Sequence, residues 1–257
     1  MRVLILGGTS EALELSRLIA GDRRFTPTLS LAGRTAAPRR PDIATRVGGF
    51  GGAIGLAHWL KEQAIDAVVD ATHPFADQIS TNAVAAARVT GIPLGSIVRP
   101  PWARLPGDSW VPVADPAAAA RALGEAPRRV FLTVGRLELP RFCAAPQHHY
   151  LARTIEPVDG MTLPPQLELL RDRGPFGFDA EREIMSAHKI DVVVSKHSGG
   201  AATYGKIAAA RELGLPVVMI ERPAKPCGHV LADAADAVRW LAGLAGAHDA
   251  SVSDRGV

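Results

Sequence analysis

Four apolar residues near the N-terminus, Val3-Leu4-Ile5-Leu6, run straight into Gly7-Gly8-Thr9-Ser10, and a helical pattern follows from Ser10 to Ala20. A strand, a glycine turn and a helix in immediate succession leave few options. The helix carries the chain back along the sheet, so the next strand lies parallel to the first. The same rhythm continues. Strands are expected at Arg2–Leu6, Pro27–Leu31, Asp66–Asp70 and Pro93–Val98, with helices at Ser10–Ala20, Gly51–Lys61 and Phe75–Val89. Alternation of this kind predicts a parallel sheet covered by helices on both faces.

Arg99-Pro100-Pro101-Trp102 breaks the pattern, because its prolines cannot continue a central strand. A domain boundary is expected there, giving residues 1–100 and 101–245, with a polar, frayed tail over 246–257. Beyond the boundary the rhythm resumes. Strands are expected at Val111-Pro112-Val113, Val130–Val134, Tyr150–Ala152, Asp191–Ser195 and Pro216–Ile220. Helices are expected at Asp179–His188, Thr203–Leu213 and Ala232–Leu244. The fold class is therefore α/β, with two Rossmann-like domains, mainly parallel sheets and a cleft between the domains.

The chain of 257 residues carries a net charge of +3, and its lysines and arginines are dispersed. That argues against nucleic acid and for an acidic small molecule. Cys143 and Cys227 are the two cysteines and have no ligand-like spacing, so neither a disulfide framework nor a metal site is expected. With no signal-like segment and no apolar run long enough for a bilayer, no membrane association and a cytoplasmic location are expected.

The Gly7–Ala12 turn matches a dinucleotide fingerprint in part. Gly7 holds the first place, Thr9 the second and Ala12 the third. Backbone N–H groups and the helix N-terminus would receive a pyrophosphate there, with Gly7, Gly8, Thr9, Ser10 and Glu11 as candidate cofactor-binding residues. Either Thr9 or Ser10 could cap the helix, and the alternative is a structural glycine turn with Ser10 as N-cap. The next strand ends in Leu31-Ala32-Gly33-Arg34-Thr35, without the acidic residue that an NAD site carries. Arg34 suits a 2′-phosphate, which favours NADPH, unless it is a solvated surface arginine. Thr72 and His73 close another strand at the same edge. His73 either contacts the cofactor or acts as an acid; otherwise Thr72 and His73 simply cap the following helix.

A second loop, Ser195-Lys196-His197-Ser198-Gly199-Gly200, follows Val192-Val193-Val194. Gly200 to Lys206 has the spacing of a phosphate-binding P-loop, but Ile207 stands where a Mg²⁺-binding hydroxyl is required. Neither Tyr150 nor Tyr204 has a lysine four residues on, as a short-chain dehydrogenase needs, and Ser198 lacks the first glycine of a hydrolase elbow. What remains suits substrate carboxylates or the nicotinamide end of a cofactor, or else is an ordinary strand–helix loop.

Taken together, Leu6–Ala12, Asp70–Ala76, Arg99–Trp102, Ser195–Gly200 and Pro216–Pro223 resemble the precorrin-6A reductase family of aerobic cobalamin biosynthesis, from Met1 to about Leu241. The resemblance implies two Rossmann-like domains with NADPH between them and hydride transfer to the precorrin-6A macrocycle, giving precorrin-6B. It implies an anionic, tetrapyrrole-derived substrate and transient contact with neighbouring enzymes of the pathway. Arg99, Arg136, Lys196, His197, Ser198, Gly199, Gly200 and Lys206 are the candidate substrate-binding residues. No catalytic residue is assigned. A protonated imine in the ring would accept hydride without a strong protein acid, and His73 and His197 are the candidates against that view. A non-catalytic tetrapyrrole carrier, or a reductase of another anionic molecule, are the alternative functions.

Overall fold

In the computed structural model, which describes residues 1–33, 41–172, 174 and 176–253, the chain enters a first unit through β1 (Arg2–Leu6), α1 (Ser10–Ile19), β2 (Thr26–Leu31), β3 (Ala44–Val47), α2 (Gly52–Glu62), β4 (Ala67–Asp70), α3 (Asp77–Thr90) and β5 (Leu94–Ile97). A second unit follows, with β6 (Trp110–Val113), α4 (Pro116–Ala122), β7 (Arg129–Thr133), β8 (His149–Thr154), β9 (Leu167–Arg171), α5 (Phe178–Ala187), β10 (Val192–Lys196), α6 (Gly205–Glu212) and β11 (Val217–Ile220). The chain then returns to the first unit with β12 (His229–Leu231) and α7 (Ala234–Ser253). Among the described residues no helix is long and apolar enough to cross a membrane.

The first unit's sheet has the order β3-β2-β1-β4-β5-β12, and every pairing is parallel. A central parallel strand must bury both faces, which is why β1 carries the apolar run Val3–Leu6. Side-chain alternation sends Val3 and Ile5 to one face, where they join Ala12, Leu15 and Ile19 of α1 and Ala234, Ala237 and Leu241 of α7. Leu4 and Leu6 point the other way and join Leu56 and Leu60 of α2 and Ala83 and Ala86 of α3. The order reverses direction between β1 and β4. Such a switch point opens a crevice at the carboxyl ends of the two strands, where open α/β sheets bind ligands.

The second unit repeats the plan as β9-β8-β7-β10-β11-β6, also all parallel, with its switch point between β7 and β10. Phe131, Val193 and Met219 form its core with Met185 of α5 and with Ile207, Ala209 and Ala210 of α6. The sixth strand differs in origin. The first unit closes with the last strand of the chain, whereas the second takes the strand that enters it.

Two sequence expectations are corrected. The return segment belongs with the first unit, because β12 pairs with β5 and α7 covers β1; residues 101–245 are therefore not one domain. The expected tail over 246–257 is helical as far as Ser253. Strands β3, β9 and β12 had no expectation at all. Each lies at a sheet edge or next to one, and β3 and β9 bury no residue fully, so they lack the apolar pattern that marks the central strands.

Candidate functional site

At the switch point of the first unit, β1 ends at Leu6 beside Asp70 at the end of β4. A Cβ on Gly7 would stand 2.5 Å from Leu29 Cδ1, so any larger residue there would require that leucine to shift. Gly8 has φ +111°, and a Cβ there would meet no atom within 4 Å, so the outer side of the turn is open space. Thr9, rather than Ser10, caps α1: its Oγ1 accepts from the Ala12 N–H at 3.2 Å. The same hydroxyl donates to Ala71 O at 2.6 Å and so ties the β1 turn to the β4 turn. Its one proton is therefore committed, and Thr9 shapes the turn.

Ser10 Oγ donates to Glu11 Oε2 at 3.0 Å, and Glu11 Oε1 receives Arg99 Nη1 at 2.7 Å. Burial pushes the Glu11 carboxyl up, but the Arg99 charge, with backbone and Ser10 hydrogen bonds, outweighs it and holds the group below its usual range. The first helical turn thus carries a carboxylate that Arg99 neutralises, which keeps the N-terminus fit for an anion. Arg99, read in the sequence as a substrate residue, sits on this edge of the first unit.

The β4 turn is built around buried Asp70. Its Oδ1 accepts from the Thr72 N–H at 3.0 Å and from Thr72 Oγ1 at 2.6 Å, and its Oδ2 accepts from Ser80 Oγ at 2.5 Å. Lys225 Nζ lies 3.5 Å from the same carboxylate. His73 Nδ1 accepts from the Phe75 N–H at 3.2 Å, which puts the proton of the neutral ring on Nε2. Arg34 lies outside the described residues.

In the second unit, Thr133 Oγ1 donates to Val194 O at 2.9 Å, joining the ends of β7 and β10 much as Thr9 does in the first. Glu138 accepts from the Gly135 N–H at 2.9 Å and pairs with Lys196. Arg136 is half-buried and donates to Pro157 O at 2.8 Å. His197 is packed between Trp102 and Trp110, its ring centroid 6.0 and 5.4 Å from theirs. Its Nε2 lies 3.0 Å from Trp102 O and its Nδ1 lies 3.5 Å from Glu221 Oε2. Arg222 Nε donates to His197 O at 2.7 Å. These contacts tie His197 to Trp102, Trp110, Glu221 and Arg222. Ser198 is buried, Gly199 and Gly200 have positive φ, and Gly200 O accepts from Trp102 Nε1 at 2.9 Å.

Lys206 is a correction. Expected to meet substrate, it is only 6% exposed and lies on the inward side of α6. Its Nζ stands 5.6 Å from the centre of the Trp102 ring. Burial, opposed by the attraction of Glu181 and helped by the Arg153 charge, pushes its ammonium down to about 8. Glu181 and Arg153 are themselves a buried pair, Oε1 to Nη2, at 2.6 Å. The P-loop-like spacing is equally coincidental, since Ala201–Thr203 form a 3₁₀ turn before α6 begins.

Two sheets in dinucleotide-fold order, with a glycine turn and an N-capped helix at the first switch point, define a Rossmann-type α/β protein. The family model described as precorrin-6x reductase CbiJ/CobK matches residues 2–242. The chain belongs to that family and is an oxidoreductase. It is 52% identical to a precorrin-6A reductase of Sinorhizobium sp. over 86% of this chain and 85% of the relative. It is 46% identical to the precorrin-6A reductase of Rhodobacter capsulatus over 94% of this chain and 96% of the relative. Among solved structures it resembles a CobK precorrin-6A reductase, with a TM-score of 0.90 and 45% identity over 95% of this chain and 97% of the other.

Proposed function

We propose that this chain reduces precorrin-6A to precorrin-6B in cobalamin biosynthesis, with NADPH as the reductant. The observation that carries the cofactor half is the β1–Gly7-Gly8–α1 turn at the switch point of a β3-β2-β1-β4-β5-β12 sheet. The open space outside Gly8 and the neutralised Glu11 support its fit to a pyrophosphate. NADPH, when bound, supplies the hydride.

The protein's part is to bind and to orient. Backbone N–H groups of the Gly8–Ser10 turn hold the pyrophosphate, Arg34 selects the 2′-phosphate, and Thr72 and His73 line the neighbouring turn. In the second unit, Lys196, Arg136 and the His197–Gly200 loop are the residues we assign to the substrate's carboxylates. The macrocycle takes up the hydride at a conjugated carbon, and the electron pair neutralises a protonated imine nitrogen of the ring. No protein acid is then required. The reading is supported by the 46% and 52% identity to named precorrin-6A reductases along nearly their whole lengths.

Anaerobic incubation with precorrin-6A and NADPH tests it. The expected result is loss of NADPH absorbance in step with a change in the pigment spectrum. Pigment bound without NADPH oxidation would make the chain a carrier instead.

A further inference from the structure

We propose that Lys225 is a positioning residue for this reduction, and that it acts by fixing the Thr72–His73 turn against which the cofactor binds. This rests on the nicotinamide reading above and extends it to a residue that no sequence motif singles out. Lys225 lies just after the chain returns to the first unit at Ala224. Its Nζ donates to Thr72 Oγ1 at 2.9 Å and to Thr72 O at 3.3 Å, and stands 3.5 Å from Asp70 Oδ2.

An ammonium has three protons. Two of them go to Thr72 and the charge faces Asp70, so these contacts all lie on one turn. Lys225 acts on that turn through Thr72 and Asp70. Proton bookkeeping agrees. The single hydroxyl protons of Thr72 and Ser80 both go to Asp70, so the Thr72 oxygen is free to accept from the lysine. The Lys225 charge also balances an Asp70 carboxylate that is 1% exposed.

The turn is held from two sides. Ala71 O accepts from Thr9 of the β1 turn, and Thr72 O accepts from Lys225 of the return segment. Two successive carbonyls are thereby fixed at the strand end that flanks the switch point. Remove the lysine and Thr72 O loses its donor, Asp70 loses its countercharge, and the peptide that leads to His73 can rotate. A ligand that docks on this turn then pays for ordering it.

The experiment uses the full chain as wild type, Lys225→Met and Lys225→Arg. NADPH affinity is measured by equilibrium titration, steady-state constants are measured for both substrates, and melting is followed by circular dichroism. For Lys225→Met the expected result is a rise in NADPH Kd and KM of about tenfold or more, the scale of a lost charge-assisted hydrogen bond. The KM for the tetrapyrrole stays within about twofold, and Lys225→Arg recovers most of the NADPH affinity. An unchanged NADPH constant in Lys225→Met, with wild type binding normally, overturns the role of Lys225. So does a parallel loss for both substrates that follows the melting temperature. Failure of the wild type to bind NADPH overturns the cofactor reading and this inference with it. If Lys225→Met does not fold, Lys225→Gln, which keeps one donor for Thr72 O, is read by the same criteria.

Discussion

Replacing Lys206 by methionine should stabilise the protein at neutral pH and lose that advantage in alkali. The side chain is almost wholly buried, beside an Arg153–Glu181 pair that is already one-to-one in charge. Its ammonium is held at about 8, against 10.5 for the free group. An amine with a lowered folded pKa binds fewer protons when folded than when unfolded, so stability rises with pH between those two values. The gap corresponds to about 3 kcal/mol of destabilisation at pH 7, shrinking to about 1 kcal/mol at pH 10. Methionine keeps the apolar stem and removes the charge, leaving the Arg–Glu pair intact. Urea unfolding followed by tryptophan fluorescence should show Lys206→Met more stable than wild type by about 2–3 kcal/mol at pH 7 and by under about 1 kcal/mol at pH 10. An equal difference at both pH values would show that burial of charge is not the cause. Destabilisation at both would mean that the ammonium is needed where it lies.

Arg34→Ala should weaken NADPH by about 2–5 kcal/mol while leaving NADH nearly unchanged, and equal losses in paired titrations would remove its 2′-phosphate role. His73→Ala should raise the NADPH KM yet keep kcat within about tenfold at saturation, since a missing general acid would cost about a hundredfold or more. His197→Ala should lower the melting temperature more than it lowers kcat, and abolished turnover in a folded variant would make it a catalyst. Lys196→Ala should raise the tetrapyrrole KM, with NADPH binding unmoved. A KM equal to that of wild type would confine Lys196 to its pairing with Glu138.

Much of this architecture is written in local pattern. The buried central strands announce themselves because a parallel strand covered on both faces needs an apolar run, as Val3–Leu6 in β1 and Val192–Val194 in β10 supply. The Gly7–Ala12 turn is legible because its positive φ at Gly8 favours glycine and its helix takes a hydroxyl cap, which Thr9 supplies. Lys206 misled for a simple reason. Nothing in a sequence says which way the first turn of a short helix faces, and a lysine beside glycines reads as solvent-exposed until its burial is seen. Lys225 was invisible on other grounds, because its partners Asp70 and Thr72 are some 150 positions away and no motif spans them. The swapped sixth strand is the same problem for backbone, since β12 has three residues and its identity comes from pairing with β5.

That strand has a consequence for synthesis. In the second unit, Arg222 Nη2 donates to Pro100 O at 3.1 Å, so its two ends are adjacent and it is an insertion within the first unit. The nascent chain makes β1 to β5 early, but Val3, Ile5 and Leu15 wait for Ala234, Ala237 and Leu241 before that face of the sheet is covered. The inserted unit has all six of its strands once β11 has left the ribosome. The half translated second therefore completes its core first, and until α7 emerges one apolar face of the N-terminal sheet stays uncovered.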